Sequence, residues 1–432
     1  MDGWMYAFWV IATGSLVAGS CALLGCYLIL RRLAMLGDAI SHAILLGIVV
    51  AFMLTQSMNG PVMFIGAAVV GVLTTWLVQV LSTGGVHRDA ALGVTFASFF
   101  ALGVIGVSRF GQDVHLDVEC VLYGEIALAP LDQLYWGDTP MGPVPVWING
   151  GLFLLNLLVI GLFYKELKIT SFDPGLAAAL GLPVGIIHYM LMTLVSLTTV
   201  GAFESVGVIL VVAMLIAPAA TAYLLTDRLH IMLMLAVGNG VLSAILGYWV
   251  SWMLNCSPAG AMGSMAGVQF AFAFLFSPTH GVITRWWSHN RLRMRVAEED
   301  VLLWAGRQLE SGHRPSFTSY DLSQAQRWLL PDAKSAIKRL VKKGLLQDGQ
   351  ERFSLSHRGE VNAESLIKRH RLYEAYLGDL GYPSDHLHDP ADRVEHHLTA
   401  DLTDRLDQAA DHPSVDPHGR SIPRGEQGDS SE

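Results

Sequence analysis

Before Arg285 the chain carries nine recurring apolar runs of roughly 18 to 25 residues, each long enough to cross a bilayer. The spacing predicts spans near residues 5–30, 33–54, 62–82, 89–109, 146–164, 183–202, 205–225, 229–254 and 259–279. The expected fold is therefore an all-α polytopic membrane domain of about nine transmembrane helices. Composition agrees: 15% of the 432 residues are charged, against about 25% in a soluble domain, and the deficit lies before Arg285. The first run is no signal peptide, being too long for such an apolar segment, with Asp2 where a basic start is expected. The net charge of −9 comes largely from loops and an acidic tail. Of the cysteines, Cys21 and Cys26 fall in an apolar run and Cys120 and Cys256 in loops. No C-x-x-C pair occurs, which leaves a zinc knuckle or redox motif unsupported.

Lys/Arg asymmetry sets the expected orientation. Arg31, Arg32, Arg88, Lys165, Lys168, Arg228 and Arg285 fall on one side of this threading, and Arg109 nearly alone on the other. The positive-inside rule then puts the N-terminus outside and everything after Arg285 in the cytoplasm. The opposite face carries residues 112–145 with Asp113, Asp117, Glu119 and Glu125, an acidic vestibule suited to a cation path or simply a solvated loop. Small residues such as Gly66, Ala67, Ala68 and Gly71, or Gly260, Gly263, Ala266 and Gly267, allow close helix packing in lipid and say nothing of substrate.

From about Arg291 the composition becomes that of a soluble domain. Residues 299–309 have helical periodicity, and DLSQ from Asp321 leads through Leu330 and Pro331 to a helix over 333–341. Residues 350–356 alternate like a short strand pair. Helix–turn–helix followed by a hairpin is the winged-helix order. The expected organisation is a membrane domain over 1–285, a linker over 286–295, a winged-helix-like domain over 296–360, a helical metal-binding and dimerisation domain over 361–425, and a disordered tail over 426–432.

Several residues carry chemistry. Asp38 and His42 are four apart on one helix face near the cytoplasmic start of the second span, where an unpaired charge is costly. A carboxylate and an imidazole there can bind a first-row metal transiently, or can form a hydrogen-bonded pair that holds neighbouring helices. Glu204, ahead of the seventh span, is a further pathway candidate and by default an interfacial carboxylate. In KELKITSFDPGLAAALGLP from Lys165, Asp173 can cap a short helix with Pro174 at its first position. Ala177 and Gly181 give that helix a small-residue face for docking another protein. No G-x-x-x-x-G-K-[ST] occurs, so any ATPase is a separate chain. In the tail, His370 and Glu374, then Asp392, Glu395 and His396, repeat at helical spacing, with His388 just ahead and His397 adjoining. Two such helices packed together make a mixed nitrogen/oxygen site. Lacking thiolate and thioether, it suits Mn²⁺ and Fe²⁺ and also admits Zn²⁺. A single His/Glu pair is usually a surface pair; two matched clusters are less so.

The first 285 residues resemble the integral-membrane subunits of ABC importers for manganese, zinc and iron, most specifically in RRLAMLGDAISHA from Arg31, VLYGEI from Val121, and SFDP from Ser171 with Ala177 and Gly181. The resemblance implies that residues 171–181, with Phe172, Asp173, Ala177 and Gly181, form the helix that couples to the ATPase. It also implies a homo- or heterodimeric pore fed by a separate extracytoplasmic binding protein. Residues 296–425 resemble the diphtheria-toxin-repressor family of metal-dependent regulators, in RHRLYE from Arg369, HDPADRVEHHL from His388 and DPHG from Asp416. That likeness implies His370, Glu374, His388, Asp392, Glu395 and His396 as ligands, with Asp392 at the position that favours manganese. Glu299 or Asp300 would supply one more, whereas the second carboxylate expected three residues on is Leu302 or Leu303.

Two functions follow as expectations. One is the permease subunit of an ATP-driven metal importer in a bacterial cytoplasmic membrane, with a tail that senses cytosolic metal. The other is a membrane-tethered DNA-binding regulator, for which Lys334, Lys338 and Arg339, with Lys342 and Lys343, are the phosphate-contact candidates. The tail as a whole is not basic, and an anchor restricts access to DNA. A secondary transporter without an ATPase is a third reading, opposed by the docking-like loop.

Overall fold

The computed structural model describes residues 3–55, 60–110, 126–136, 139–312, 316–350, 352–383 and 386–423. The acidic residues Asp113, Asp117, Glu119 and Glu125, the VLYG segment, Cys120 and residues 426–432 lie outside these. Two compact units divide at Arg285 and Trp286.

Among the described residues of the first unit, nine helices are long and apolar enough to cross a membrane. They are α1 (Gly3–Leu30), α2 (Leu36–Thr55), α3 (Gly60–Thr83), α4 (Arg88–Phe110), α5 (Val144–Leu162), α8 (Val184–Val206), α9 (Val208–Leu225), α10 (Leu229–Leu254) and α11 (Pro258–Phe276). Helices are expected because a spanning segment must satisfy its backbone polar groups internally. Two short helices, α6 (Tyr164–Phe172) and α7 (Pro174–Ala179), lie between α5 and α8, and a hairpin of β1 (Gln133–Trp136) and β2 (Thr139–Pro143) precedes α5.

The core forms where α1 meets α9 and α10, around buried Leu24, Tyr27, Leu28, Leu210 and Met214. A second layer packs α2 against α3 and α4. There a Cβ on Gly66 would stand 2.6 Å from Gly47 O, so side-chain-free backbone is required at that crossing. By contrast a Cβ on Gly260 or Gly267 would meet nothing among the described residues of this chain. Polar pairs fix α5 to α8: Asn149 Nδ2 donates to Ser205 Oγ, and Asn156 Nδ2 to Thr198 Oγ1, both at 2.9 Å. The sixth span runs on to Val206 and stops at Gly207, whose φ of +79° suits glycine. Glu204 thus belongs to the last turn of α8 rather than to a loop before the next span; its side chain lies outside the described residues.

The second unit is built from α12 (Val282–Glu310), whose first residues belong to the first unit, followed by α13 (Ser319–Gln326), α14 (Leu330–Lys342), the hairpin β3 (Leu346–Gly349) and β4 (Arg352–Leu355), α15 (His357–Asp379), α16 (His388–Val394), a 3₁₀ turn (Glu395–His397) and α17 (Ala400–Ala409). Residues 286–295, read from sequence as a linker, are helical and continuous with 299–309. The strands flank Gln350, which takes φ +56° at the turn, so the pair opens at Leu346 rather than at 350. A capping box starts α13: Thr318 Oγ1 accepts from Asp321 N, and Asp321 Oδ2 accepts from Thr318 N. The core joins Val301, Leu302 and Leu303 of α12 to Leu322, Ile337, Leu340, Leu366 and Ile367. Leu302 and Leu303 are 4% exposed each, so the position expected from the family pattern to hold a second carboxylate is filled by core leucines.

Candidate functional site

Helical spacing puts His370 and Glu374 on one face of α15, which Ser356 Oγ caps by accepting from Gly359 N at 3.0 Å. Against that face lies α16, bringing His388 and Asp392, and then the 3₁₀ turn with Glu395 and His396. His370 sits between two carboxylates, Nδ1 at 2.6 Å from Glu395 Oε2 and Nε2 at 3.1 Å from Glu374 Oε1. His388 Nδ1 is 3.0 Å from the same Glu374 oxygen, and Asp392 Oδ1 is 3.4 Å from His370 Nδ1.

A second cluster adjoins the first. His396 Nδ1 is 2.8 Å from Glu299 Oε2, and its Nε2 is 3.2 Å from Asp300 Oδ1 and 3.6 Å from Glu395 Oε1. Glu299 and Asp300 therefore both reach His396, where the sequence offered them as alternatives. Glu395 faces both clusters, one oxygen to each. Ligand-type atoms of His370, His388 and Asp392 lie within 4.8 Å of one another, as do those of Asp300, Glu395 and His396. His397 joins neither set.

The charge balance of these groups fits a divalent cation. His370, Glu374, Glu395 and His396 are 5%, 2%, 2% and 8% exposed. Burial alone would lower the His370 pKa, but hydrogen bonds to Glu374 and Glu395 outweigh it and hold the value at about 9. Burial likewise opposes His396, yet Asp300, Glu299 and Glu395 raise it to about 10. Glu374, which burial would raise, is brought down to about 2 by His370 and His388. The imidazolium groups thus neutralise the buried carboxylates, and a divalent ion can take that role when the protons leave. The all-nitrogen/oxygen donor set matches manganese, iron or zinc.

Supporting residues not anticipated as site residues are Arg371 and His418. Arg371 forks onto Glu310 of α12 at 2.9 and 2.6 Å, which fixes α15 against the helix that supplies Glu299 and Asp300. Asp416 Oδ1 accepts from the backbone N of His418 and Arg420, and the His418 ring reaches 4.0 Å from Glu374. The DPHG segment carrying His418 was visible in the sequence; the geometry that brings it to Glu374 was not.

On α14, Lys334, Lys338 and Lys342 are exposed. Arg339 Nε donates to buried Glu298 at 2.8 Å, and Lys343 pairs with the same carboxylate. The basic set thus divides into exposed lysines and an arginine already engaged within the fold.

In the first unit, His42 Nε2 is 3.6 Å from Asp38 Oδ1 at the start of α2, both half-buried. The His42 ring lies beside Phe96 and Phe100 of α4, at 5.8 and 5.7 Å. Asp173 caps α7, its Oδ1 accepting from Leu176 N at 2.9 Å, with Pro174 first in the helix. Ala177 is fully buried, so it forms no part of a docking face; Phe172, Leu176 and Leu180 are exposed at 58%, 52% and 62%, beside Gly181. One turn of helix is enough to put Ala177 inward while its neighbours face out. Arg31, used above only for orientation, donates to Thr170 Oγ1 at 2.9 Å and Ser171 Oγ at 3.0 Å and approaches His188 Nδ1 at 3.5 Å. It ties the end of α1 to the residues preceding Phe172 and to the start of α8.

Comparison with known proteins adds the following. Residues 4–279 match the ABC 3 transport family, and residues 356–424 match the metal binding and dimerisation domain of iron dependent repressors. The chain is 54% identical over 277 residues to the manganese transport system membrane protein MntD of Bacillus subtilis, covering 64% of this chain and 94% of that one. It is 45% identical to the zinc transport system membrane protein TroD of Treponema pallidum, over 64% of this chain and 75% of that one. Its fold is similar to the structure of PsaBC from Streptococcus pneumoniae in complex with Fab, with a TM-score of 0.55 and 34% identity over 66% of this chain and 95% of that chain.

Proposed function

The chain belongs to the ABC 3 transport family and carries a repressor-type metal-binding domain at its C-terminal end, and from that premise we propose that it is the permease subunit of an ATP-driven importer of divalent transition metal, manganese foremost, whose tail senses cytosolic metal. The observation that carries the sensing role is the pair of adjoining donor clusters joined by Glu395. Manganese is favoured over zinc and iron by the relatives' substrates and by Asp392 among hard donors. ATP is hydrolysed by a separate subunit that docks on Phe172, Leu176 and Leu180 around the Asp173 cap. An extracytoplasmic binding protein delivers metal, and a second permease subunit, identical or related, completes the pore. Asp38 and His42 line the path, and Glu204 is a further candidate on it. The protein sits in a bacterial cytoplasmic membrane, N-terminus outside and C-terminal domain inside. In a chain whose native cysteines are replaced by alanine, maleimide applied from outside to intact cells should therefore fail to label a cysteine placed at Gly175, and efficient labelling would reverse the orientation.

Regulation requires the tail's conformations to differ in metal affinity. In proteoliposomes containing the ATPase, Mn²⁺ trapped on the tail side should slow uptake by the full chain and leave a chain ending at Arg285 unaffected. Equal slowing of both would remove the sensing role. The DNA-binding reading predicts instead sequence-specific retention of duplex DNA by the metal-loaded chain; the engagement of Arg339 by Glu298 weighs against it.

Two further outcomes are expected. His370 and His396 hold protons up to about pH 9 and 10, and metal must displace those protons. Mn²⁺ affinity of the tail should therefore climb between about pH 6 and 8, by up to about tenfold per pH unit for each proton displaced; titration against a competing dye measures it. Arg31→Gln should loosen α6 from α1 by about 1.5–3 kcal/mol for each charged hydrogen bond lost. Metal carried per ATP should drop while the ATPase still assembles, and an unchanged ratio would reduce Arg31 to a local packing group.

A further inference from the structure

Within the second unit, α12 and α15 each turn one face toward a shared cavity of about 260 Å³. On α12 that face holds Arg295, Glu298, Glu299 and Leu302, and on α15 it holds Asn362, Ser365, Leu366 and Arg369. Both sets stand at i, i+3, i+4 and i+7, the spacing of a single helix face. Lys343 closes the cavity from just past α14, and buried Leu302, Leu340 and Leu366 make its floor.

The charges around this cavity do not balance. Three cations, Arg295, Lys343 and Arg369, line it against two carboxylates, and each carboxylate is already held by a further group. Glu298 pairs with Lys343 and also accepts from Arg339 Nε at 2.8 Å. Glu299 accepts from Arg295 Nε at 2.8 Å and lies 2.8 Å from His396 Nδ1. Arg369 is half-buried and, among the described residues, forms no ion pair. Arg295 engages Glu299 through Nε, which leaves its Nη groups for another acceptor. A guanidinium at the edge of an apolar floor is poorly screened by water and is costly to leave without an anion.

The chemistry of the missing partner follows from the donors. Guanidinium forks match the oxygens of a phosphate or carboxylate, and an ammonium beside them adds a point charge that suits the more highly charged phosphate. The volume lies just under the roughly 300–1,000 Å³ of pockets that take drug-sized ligands, so a compact molecule fits. We propose that this cavity binds a small phosphate-bearing anion, either free phosphate or a short phosphorylated metabolite. Arg369 is its principal contact, Arg295 Nη and Lys343 Nζ flank it, and Ser365 Oγ supplies a neutral donor. The inference draws on charges within the second unit alone and stands or falls separately from metal sensing.

The test is equilibrium dialysis of radiolabelled inorganic phosphate, and separately of glycerol 3-phosphate, against the full chain in phosphatidylcholine nanodiscs in metal-free buffer. Saturable binding of at least one, with a Kd below about 1 mM, is expected. The tighter of the two identifies the source as free phosphate or a phosphorylated metabolite. Arg369→Gln should weaken binding at least about tenfold, as loss of a charged hydrogen bond does. Ser365→Asp alters an exposed position that tolerates substitution, and it should weaken binding similarly by placing a carboxylate at the mouth. Arg405→Gln, which removes an exposed arginine of α17 outside the cavity, should bind as the native chain does. Absence of saturable binding by the native chain would overturn the proposal, as would native affinity in either cavity variant or equal weakening in Arg405→Gln. Stoichiometric displacement of the bound phosphate by a short DNA duplex would also overturn it, assigning the cavity to a nucleic-acid backbone instead.

Discussion

Glu395→Ala is expected to abolish measurable Mn²⁺ binding by the C-terminal unit. The loss should exceed about 100-fold, above the 10–100-fold typical when a group that merely orients a ligand is removed. The reason is its position: one carboxylate oxygen lies 2.6 Å from His370 and the other 3.6 Å from His396, so a single truncation strips both clusters. It also leaves two buried imidazoles with fewer carboxylates to balance them. Glu395→Gln, which keeps the shape, should restore folding without restoring affinity. Isothermal titration of the chain in nanodiscs gives the answer, and in proteoliposomes uptake by Glu395→Ala should stay high when Mn²⁺ has accumulated on the tail side. Wild-type affinity in Glu395→Ala would mean that the ion binds elsewhere. Lost affinity with an unaltered uptake response would separate the site from regulation.

Asp38→Ala should reduce metal uptake by at least about tenfold, corresponding to ~1.4 kcal/mol or more of lost ion interaction. His42→Ala should do the same. Asp38 and His42 stand 3.6 Å apart at the opening turn of α2, half-buried, with Phe96 and Phe100 beside the imidazole. Ionisable groups at such a depth are costly to keep and are generally retained for use. Radiolabelled or fluorometric Mn²⁺ uptake, normalised to protein level and to ATPase recovered in complex, decides the matter. Uptake at the native rate in both variants would leave the pair a structural hydrogen bond.

The spans were legible because lipid leaves so few options: an apolar run of sufficient length has to become a helix with its own backbone satisfied. Their ends were less so. The sixth span runs through Phe203 and Glu204 to the break at Gly207, because a single glycine with positive φ can separate two helices without any polar loop to mark it. His370 and Glu374 share a face because both stand on one helix, a local property that spacing encodes. The approach of both Glu299 and Asp300 to His396, some 97 positions away, is tertiary and has no local signature. Ala177 shows the opposite failure: small size was read as an open docking surface, whereas the residue is small because it is packed. Residues 286–295 looked like a connector because their apolar groups, Trp286 and Trp287 among them, join no core that sequence periodicity could reveal.

Glu298 has a consequence for any encounter between α14 and nucleic acid. With Arg339 and Lys343 both held by that carboxylate, the helix presents Lys334, Lys338 and Lys342 as its unpaired cations among the described residues. Binding to duplex DNA is driven largely by the small ions released from its phosphates, and each phosphate neutralised contributes a slope of about −0.9 on a log–log plot of affinity against salt. Three lysines set a slope near about −3 for one such helix. That is a shallow dependence, which at cytoplasmic ionic strength leaves little hold on DNA unless Glu298 first lets go.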